Sequence, residues 1–312
     1  MINLIRHAEG WGVVRGEQVL PLPGRYPTTA DVLDGGVRSA RALLADPDPD
    51  AASVPLAGIT PLNPLPDARV HCQGANYRSH MVESGMDPDR AFNMLFTKST
   101  ASLSGAHDDI VTPAHVRLLD YEVELGVVIG KPITGPVRVT AANLADYVGA
   151  FVVGNDVSAR DVQLPQGQWY KGKSYRTFCP IGPYLCVPER EEVARWSELR
   201  LTLSVNGQTR QNALAGDMVF KPAETLTEFS QLETFAVGDL ILTGTPGGVA
   251  LQPPGGIAQK ISGLLPEAKK WELFVKGQSR SGAYLKPGDR LVSTIRTDDG
   301  VLDLGAQHNT VR

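Results

Sequence analysis

Glycine and proline interrupt this chain too often for long helices to dominate it. Of its 312 residues, 32 are Gly and 23 are Pro. After Asp67 the runs between them are short and β-rich, as in Leu199–Val205 ahead of Asn206-Gly207, Asp239–Thr243 and Arg290–Ile295. Asn-Gly between apolar alternations predicts a two-residue hairpin, because both turn positions need φ > 0. Long amphipathic helices alternating with strands are missing, which argues against a doubly wound α/β sheet. The expected class is α+β, mostly β, with a few short helices. The length exceeds the ~250–300 residues at which one core usually stops growing, so a small unit over residues 1–66 is expected ahead of a larger one over 67–312. In the small unit, Ile2–Ile5 and Trp11–Leu20 read as a small sheet, and Thr29 to Leu44 as a helix capped by Thr28 or Thr29. The prolines from Pro47 to Pro66 lack backbone donors and predict a linker or wrapped surface segment.

Composition closes off several function classes. A formal net charge of −4 gives no basic stripe for nucleic acid. Apolar runs such as Leu125–Ile129 and Ala150–Val153 fall far short of the ~18 residues a membrane span needs. Met1 to Gly10 has no apolar signal-peptide core. Cys72, Cys179 and Cys186 include no C-x-x-C pair. The expectation is a soluble, reduced, cytoplasmic protein with neither a nucleic acid nor a membrane as partner. Gly167 to Ser174 matches G-x-x-x-x-G-K-S, but Pro165 precedes it and Pro180, Gly182 and Pro183 follow, so the helix that a phosphate loop requires is excluded. There is no G-x-S-x-G elbow. His80-Met-Val-Glu83 opens like an inverted zinc motif, but Ser84 stands where the second His is needed.

Three stretches carry candidate chemistry. In Leu119-Asp-Tyr-Glu-Val-Glu-Leu125 the strand period of two puts Asp120, Glu122 and Glu124 on one face, with Tyr121, Val123 and Leu125 on the other. That pattern suits a water-facing strand. It also suits ligands for a hard cation, Mg²⁺, Mn²⁺ or Ca²⁺, since no His or Cys is close; the continuation Gly126-Val-Val-Ile-Gly130, which enters a core, favours ligands. Asp156 follows the apolar run Ala150–Val153, and Arg160 has the planar fork to balance a bound carboxylate; an Asx turn with an Arg160–Asp161 surface pair fits these residues equally well. Asn76 to Gly85 reads as two helical turns with Asn76 as N-cap, so that His80 and Glu83 are i, i+3 neighbours. A carboxylate on one imidazole nitrogen frees the other to take a proton, although an exposed pair reads the same way. Pro266 to Lys276 reads as a helix stopped by Gly277 and packing one face on the body.

Together these pieces resemble the fumarylacetoacetate hydrolase family. The resemblance rests on Asn76-Tyr-Arg-Ser-His80, Asp120-Tyr-Glu-Val-Glu-Leu125, Gly154-Asn-Asp-Val-Ser-Ala-Arg-Asp161, Gly172-Lys-Ser174, Gly238-Asp-Leu-Ile-Leu-Thr-Gly-Thr-Pro246 and Lys286-Pro-Gly-Asp289, in the family's order over roughly residues 72–300. It implies a mixed, multi-layer β-sandwich or roll, usually homodimeric, with one Mg²⁺ or Mn²⁺ per subunit. Position by position, it implies Glu122, Glu124 and Asp156 as metal ligands and His80 with Glu83 as a water-activating dyad. Lys173 would stabilise negative charge, and Tyr77, Arg160, Gln163 and Thr245 would contact substrate. The implied reaction is hydrolysis of a C–C bond in a 2,4-dioxo acid of the acylpyruvate type through an enolate held by the metal. The alternatives are an oxo-acid decarboxylase or keto–enol isomerase on the same site, and a non-catalytic, metal-stabilised scaffold. Three departures bear on the substrate: Arg176 where the family often has Asp, Ala250 where Gly is common, and an insertion between Leu251 and Ser281 expected near the active-site mouth or the dimer interface.

Overall fold

A computed structural model describes residues 1–46, 52–89, 92–252 and 265–312. Its framework is a mixed sheet of twelve strands. The strands Val148–Asn155 and Val123–Ile129 pair antiparallel at its centre. Leu240–Leu242 pairs with Val123–Ile129 and runs parallel to Val70–Gly74, and Met94–Lys98 forms that end of the sheet. A second sheet of four antiparallel strands is built from Gln208–Leu214, Leu199–Val205, Arg290–Thr297 and Asp303–Thr310. The fold is thus mostly β, in layers, with few helices, as expected. The Asn-Gly hairpin forms where predicted, with φ of 52° at Asn206 and 78° at Gly207.

Both faces of the central strands are buried, which is why they read as continuous apolar runs rather than alternations. Phe151 and Val153 face one core, which they share with Leu201, Leu203 and Ile295 of the four-stranded sheet. Ala150 and Val152 point the other way, into a core shared with Val32, Val37 and Ala40. Those three belong to the N-terminal helical stretch, which spans Thr29–Asp31, a π-helical turn at Val32–Gly36, and Val37–Ala45. Thr28 caps it through a reciprocal bond with Asp31, and the π turn absorbs the Gly35-Gly36 pair. The N-terminal strands do not stand apart: Ile2–His7 pairs with Tyr184–Val187, so the hydrogen-bonded ladder crosses the 66/67 position without a break. Of the Pro-rich stretch, residues 47–51 lie outside the described residues; the rest holds an edge strand at Val54–Pro55 and a single 3-10 turn at Leu56–Gly58.

Three local expectations need correction. Asn76 is not a helix cap: the helix is Arg78–Glu83, with Tyr77 at the cap position. The buried Asn76 amide instead donates to the carbonyls of Phe220 and Thr243 and accepts from the Phe220 N–H, which ties three segments together. The acidic stretch is not one strand: Leu119–Asp120 pairs with Ser158–Ala159, and the Val123–Ile129 strand begins after a break. The late helix spans Glu267–Gln278, so Gly277 lies inside it rather than stopping it.

Two glycines set how closely the central strands approach where their register shifts between Val148 and Ala150. A Cβ on Gly149 would stand 2.7 Å from the Cα of Gly130, so backbone rather than a movable side chain would have to yield. Gly149→Val is therefore expected to cost about 1–3 kcal/mol or more, read as a lower urea midpoint with unchanged slope. Gly135→Ala, where a Cβ meets nothing within 4 Å, is expected to stay within about 0.5 kcal/mol of wild type.

Candidate active site

Period-two geometry explains how the acids leave the core. Val123, Leu125 and Val127 fill the first core, which sends Glu124 to the opposite side of its strand. There its oxygen accepts the Gly244 N–H at 2.7 Å. Asp156 follows the last residue of the neighbouring strand, and its N–H bonds the Glu122 carbonyl at 2.8 Å. Glu122, Glu124 and Asp156 are buried, and each offers a carboxylate oxygen within 4.8 Å of the others. The structure thus brings together the three acids expected as metal ligands, though they are 34 positions apart in sequence at the extremes.

Cations surround them. Lys173, from the one-turn helix Trp169–Lys173, bonds Glu122 Oε2 at 2.7 Å and Asp156 Oδ2 at 2.6 Å. Arg160 opens the helix Arg160–Gln166, contacts Glu122 with one nitrogen, and bonds Asp120 at 2.8 Å and Gln163 at 2.9 Å. Lys98, which sequence reasoning missed, bonds Asp156 Oδ1 at 2.5 Å and the Phe178 carbonyl at 2.7 Å with its side chain fully buried. A lysine ending the run Met94-Leu-Phe-Thr-Lys98 reads as a surface residue. Only the pairing of that strand with Val70–Gly74 places it inside. Asp120, noted only as a face-mate of Glu122, is fully buried and also accepts the N–H groups of Ala250 at 2.7 Å and Leu251 at 3.1 Å.

The charge balance follows. Asp120, Glu122, Glu124 and Asp156 face Lys98, Arg160 and Lys173, so full ionisation leaves one buried negative charge in excess. The proton needed goes to Glu124: burial and the charges of Asp156 and Glu122 push its carboxyl well above the usual range. Burial acts the same way on Glu122, but Lys173 and Arg160 override it and hold that carboxyl at about 2. A divalent ion in place of the proton would leave the cluster at +1, matched to one substrate carboxylate. The donor set is all oxygen, buried and short of positive charge, which fits Mg²⁺, Mn²⁺ or Ca²⁺ and not zinc.

A cavity of about 850 Å³ opens beside this cluster. Of the expected site residues, His80, Glu122, Glu124, Arg160, Gln163, Lys173 and Thr245 line it. Burial drives the His80 imidazole down to about 4 despite the nearby Glu122 charge, so it is neutral at physiological pH, and its Nδ1 has no partner. Glu83 is not bonded to His80 here. It accepts the Gly248 N–H at 2.7 Å, from the same loop that serves Glu124 through Gly244. Gly248 suits that loop because its φ is +100° and a Cβ would lie 1.9 Å from the Arg210 carbonyl oxygen. Tyr77 is fully buried in the first core and does not line the cavity. The Thr245 hydroxyl is already engaged, donating to Val123 and accepting from Gln211. Arg176 is exposed and away from the lining, so its reversed charge does not enter the pocket. Of the 251–281 insertion, residues 253–264 lie outside the described residues. The remainder forms part of the cavity wall, through Leu265 and the helix Glu267–Gln278. That helix therefore does more than pack one face on the body.

The family model for the fumarylacetoacetate (FAA) hydrolase C-terminal region matches residues 69–312. The chain belongs to the fumarylacetoacetate hydrolase family. It is similar to the oxaloacetate tautomerase of Bacillus subtilis (strain 168), 40% identical over 60% of this chain and 61% of that one. It is also similar to a 2,4-didehydro-3-deoxy-L-rhamnonate hydrolase of Sphingomonas sp. (strain SKA58), 38% identical over 67% and 72%. A mitochondrial oxaloacetate tautomerase of Rattus norvegicus is 37% identical, and the match spans 64% of each chain. Among solved structures, a probable 2-hydroxyhepta-2,4-diene-1,7-dioate isomerase from Mycobacterium abscessus superposes with a TM-score of 0.72 at 29% identity, covering 100% of this chain and 98% of that one. A maleylpyruvate hydrolase from Sphingobium sp. SYK-6, in complex with manganese(II) and pyruvate, gives 0.71 at 25% identity, covering 99% and 98%. Family members are enzymes, both hydrolases and tautomerases or isomerases. Among the described residues no helix is long and apolar enough to cross a membrane.

Removing the cation that sequence reasoning missed tests the cluster. Lys98→Met strands Asp156 Oδ1, while the Phe178 carbonyl keeps the Val157 N–H. Breaking one side of a buried pair costs about 3–5 kcal/mol. Denaturant unfolding in EDTA is expected to show that loss, and saturating Mn²⁺ to reduce it by supplying the missing charge.

Proposed function

We propose that this protein is a divalent-metal-dependent enzyme that moves a proton at the carbon between two carbonyls of a 2-oxo acid, of the oxaloacetate or acylpyruvate type, interconverting keto and enol forms. One observation carries the reading: His80 lines the same cavity as Glu122, Glu124, Arg160 and Lys173, and burial lowers its basicity so that the neutral imidazole is favoured. When held by Glu122, Glu124 and Asp156, the ion supplies a Lewis acid for the oxo acid's oxygens, worth several kcal/mol. Mg²⁺ or Mn²⁺ suits the donors, and a solved relative holds manganese(II) with pyruvate.

The chain's own residues account for the remaining steps. Arg160 and Lys173 neutralise the substrate carboxylate and the negative charge that develops on oxygen. Gln163 orients Arg160 through its bond at 2.9 Å. His80 takes the proton from the carbon, the electron pair moves onto the carbonyl oxygen, and the imidazolium returns the proton there. General-base help of this kind is worth about 10²–10⁴-fold.

C–C hydrolysis is the second reading, favoured by Glu83 lying one turn from His80 on the same short helix. Released from the Gly248 N–H, that carboxylate would orient the imidazole toward a water. Its attack on the remote carbonyl breaks the C–C bond and leaves the electron pair on the enolate carbon, which is then protonated. The relatives include both tautomerases and hydrolases.

Two assays test the readings: ultraviolet decay of enol-oxaloacetate, and pyruvate release from acetylpyruvate, each with Mn²⁺ and with EDTA. His80→Ala is expected to lose about 10²–10⁴-fold in kcat while calorimetric Mn²⁺ affinity survives. Glu124→Gln is expected to lose both. Undiminished turnover in EDTA or in His80→Ala would sink the proposal. Metal-dependent pyruvate release that stops in Glu83→Gln would establish hydrolysis.

A further inference from the structure

The cavity is mixed in its chemistry. His80, Glu122, Glu124, Arg160 and Lys173 line it together with an apolar group, Trp169, Leu251, Leu265, Trp271 and Phe274. A four-carbon oxo diacid has about nine non-hydrogen atoms and displaces at most about 270 Å³, even at a full water volume of ~30 Å³ per atom. That is about a third of the 850 Å³ present. Rings and branched chains make up much of the lining, and they gain by taking apolar surface out of water.

We propose that the site takes 2-oxo acids whose far end is a bulky, uncharged apolar group, aromatic or branched, and that the helix Glu267–Gln278 sets this preference through Trp271 and Phe274. The inference rests on the enolate reading above for the acid end of the substrate and supplies its tail. Trp271 and Phe274 stand one turn apart in an edge-to-face pair, with ring centroids 5.6 Å apart. Trp169, also in the lining, is held edge-on to Phe96 at 5.1 Å, and the Lys173 ammonium lies over that Phe96 ring. Only the lack of a side chain at Gly74 admits the Trp169 ring, since a Cβ there would lie 2.3 Å from it. A tail ending in carboxylate would need a cation of its own. Among the described lining residues away from the acids that cation is Lys270, and its ammonium lies 4.9 Å from the centre of the Trp271 ring. The helix is fixed as a wall: Val275 is buried in the first core, and Gln278 accepts the Tyr284 hydroxyl at 2.8 Å and donates to the Gln252 carbonyl at 2.5 Å.

The test compares acetylpyruvate and benzoylpyruvate, which share the acid end and differ in the tail, on the Mn²⁺-loaded full chain. Wild type is expected to favour benzoylpyruvate by at least about tenfold in kcat/KM. Trp271→Ala and the milder Phe274→Leu are expected to shrink that ratio, the former by about tenfold or more, in the range that apolar pocket contacts discriminate. Titration of intrinsic tryptophan fluorescence reads binding separately from turnover. Tighter binding of benzoylpyruvate in wild type, weakened in Trp271→Ala, supports the tail site even if neither compound reacts; in that case the enolate reading falls and this one stands. Equal preference for the two compounds in wild type, or a Trp271→Ala variant that loses both in proportion, overturns it, as does a preference for a carboxylate-tailed oxo acid that Lys270→Met abolishes.

Discussion

Burying like charges at one point governs this molecule. Four carboxylates and three cations are buried where the central strands end, several of them in the wall of the cavity. Isolated buried ions cost several kcal/mol each, so the group persists only as a set in which every charge is answered. Arg160 and Lys173 each bridge two carboxylates, while Lys98 answers Asp156 from the opposite side. Glu124 is left without a basic partner and takes a proton or a metal.

The sheet exists, in effect, to hold that set still. The central strands are buried on both faces, so the acids at their ends cannot shift without moving two cores at once. Backbone groups hold the acids as well: Gly244 binds Glu124, and Ala250 and Leu251 bind Asp120. The 244–251 loop therefore answers to the acid cluster along its length. Glu83 joins it through Gly248, so any turn of that carboxylate toward His80 frees a backbone donor of the same loop.

Much of this was legible from residues alone. Asn206-Gly207 announced its hairpin because both residues tolerate positive φ, as a two-residue turn requires. The acidic alternation suited a solvated strand as well as a hard-cation site; the family resemblance, not the pattern alone, singled out Glu122, Glu124 and Asp156, which the fold brings together. Lys98 was hidden because its role depends on strand pairing across the sheet, which local pattern does not encode. Asn76 misled for a related reason: a side chain that favours helix caps serves equally well as a tertiary bridge. Tyr77 was carried over from a motif, but its ring faces the core. The Glu267–Gln278 helix showed its apolar face in sequence, but not that part of this face looks onto a cavity rather than onto the body.

The Gln252–Gln278 pairing has a consequence of its own. It ties Gln252 to the end of the helix whose Trp271 and Phe274 line the cavity. A segment that leaves and returns at one point can change in length at little entropic cost, since closure rises only slowly with the number of residues enclosed. On the proposals above, selectivity and chemistry would be housed in separable parts of the chain. On those proposals, exchanging the chain between Gln252 and Gln278 would change substrate choice while the acid cluster and its cations are left untouched.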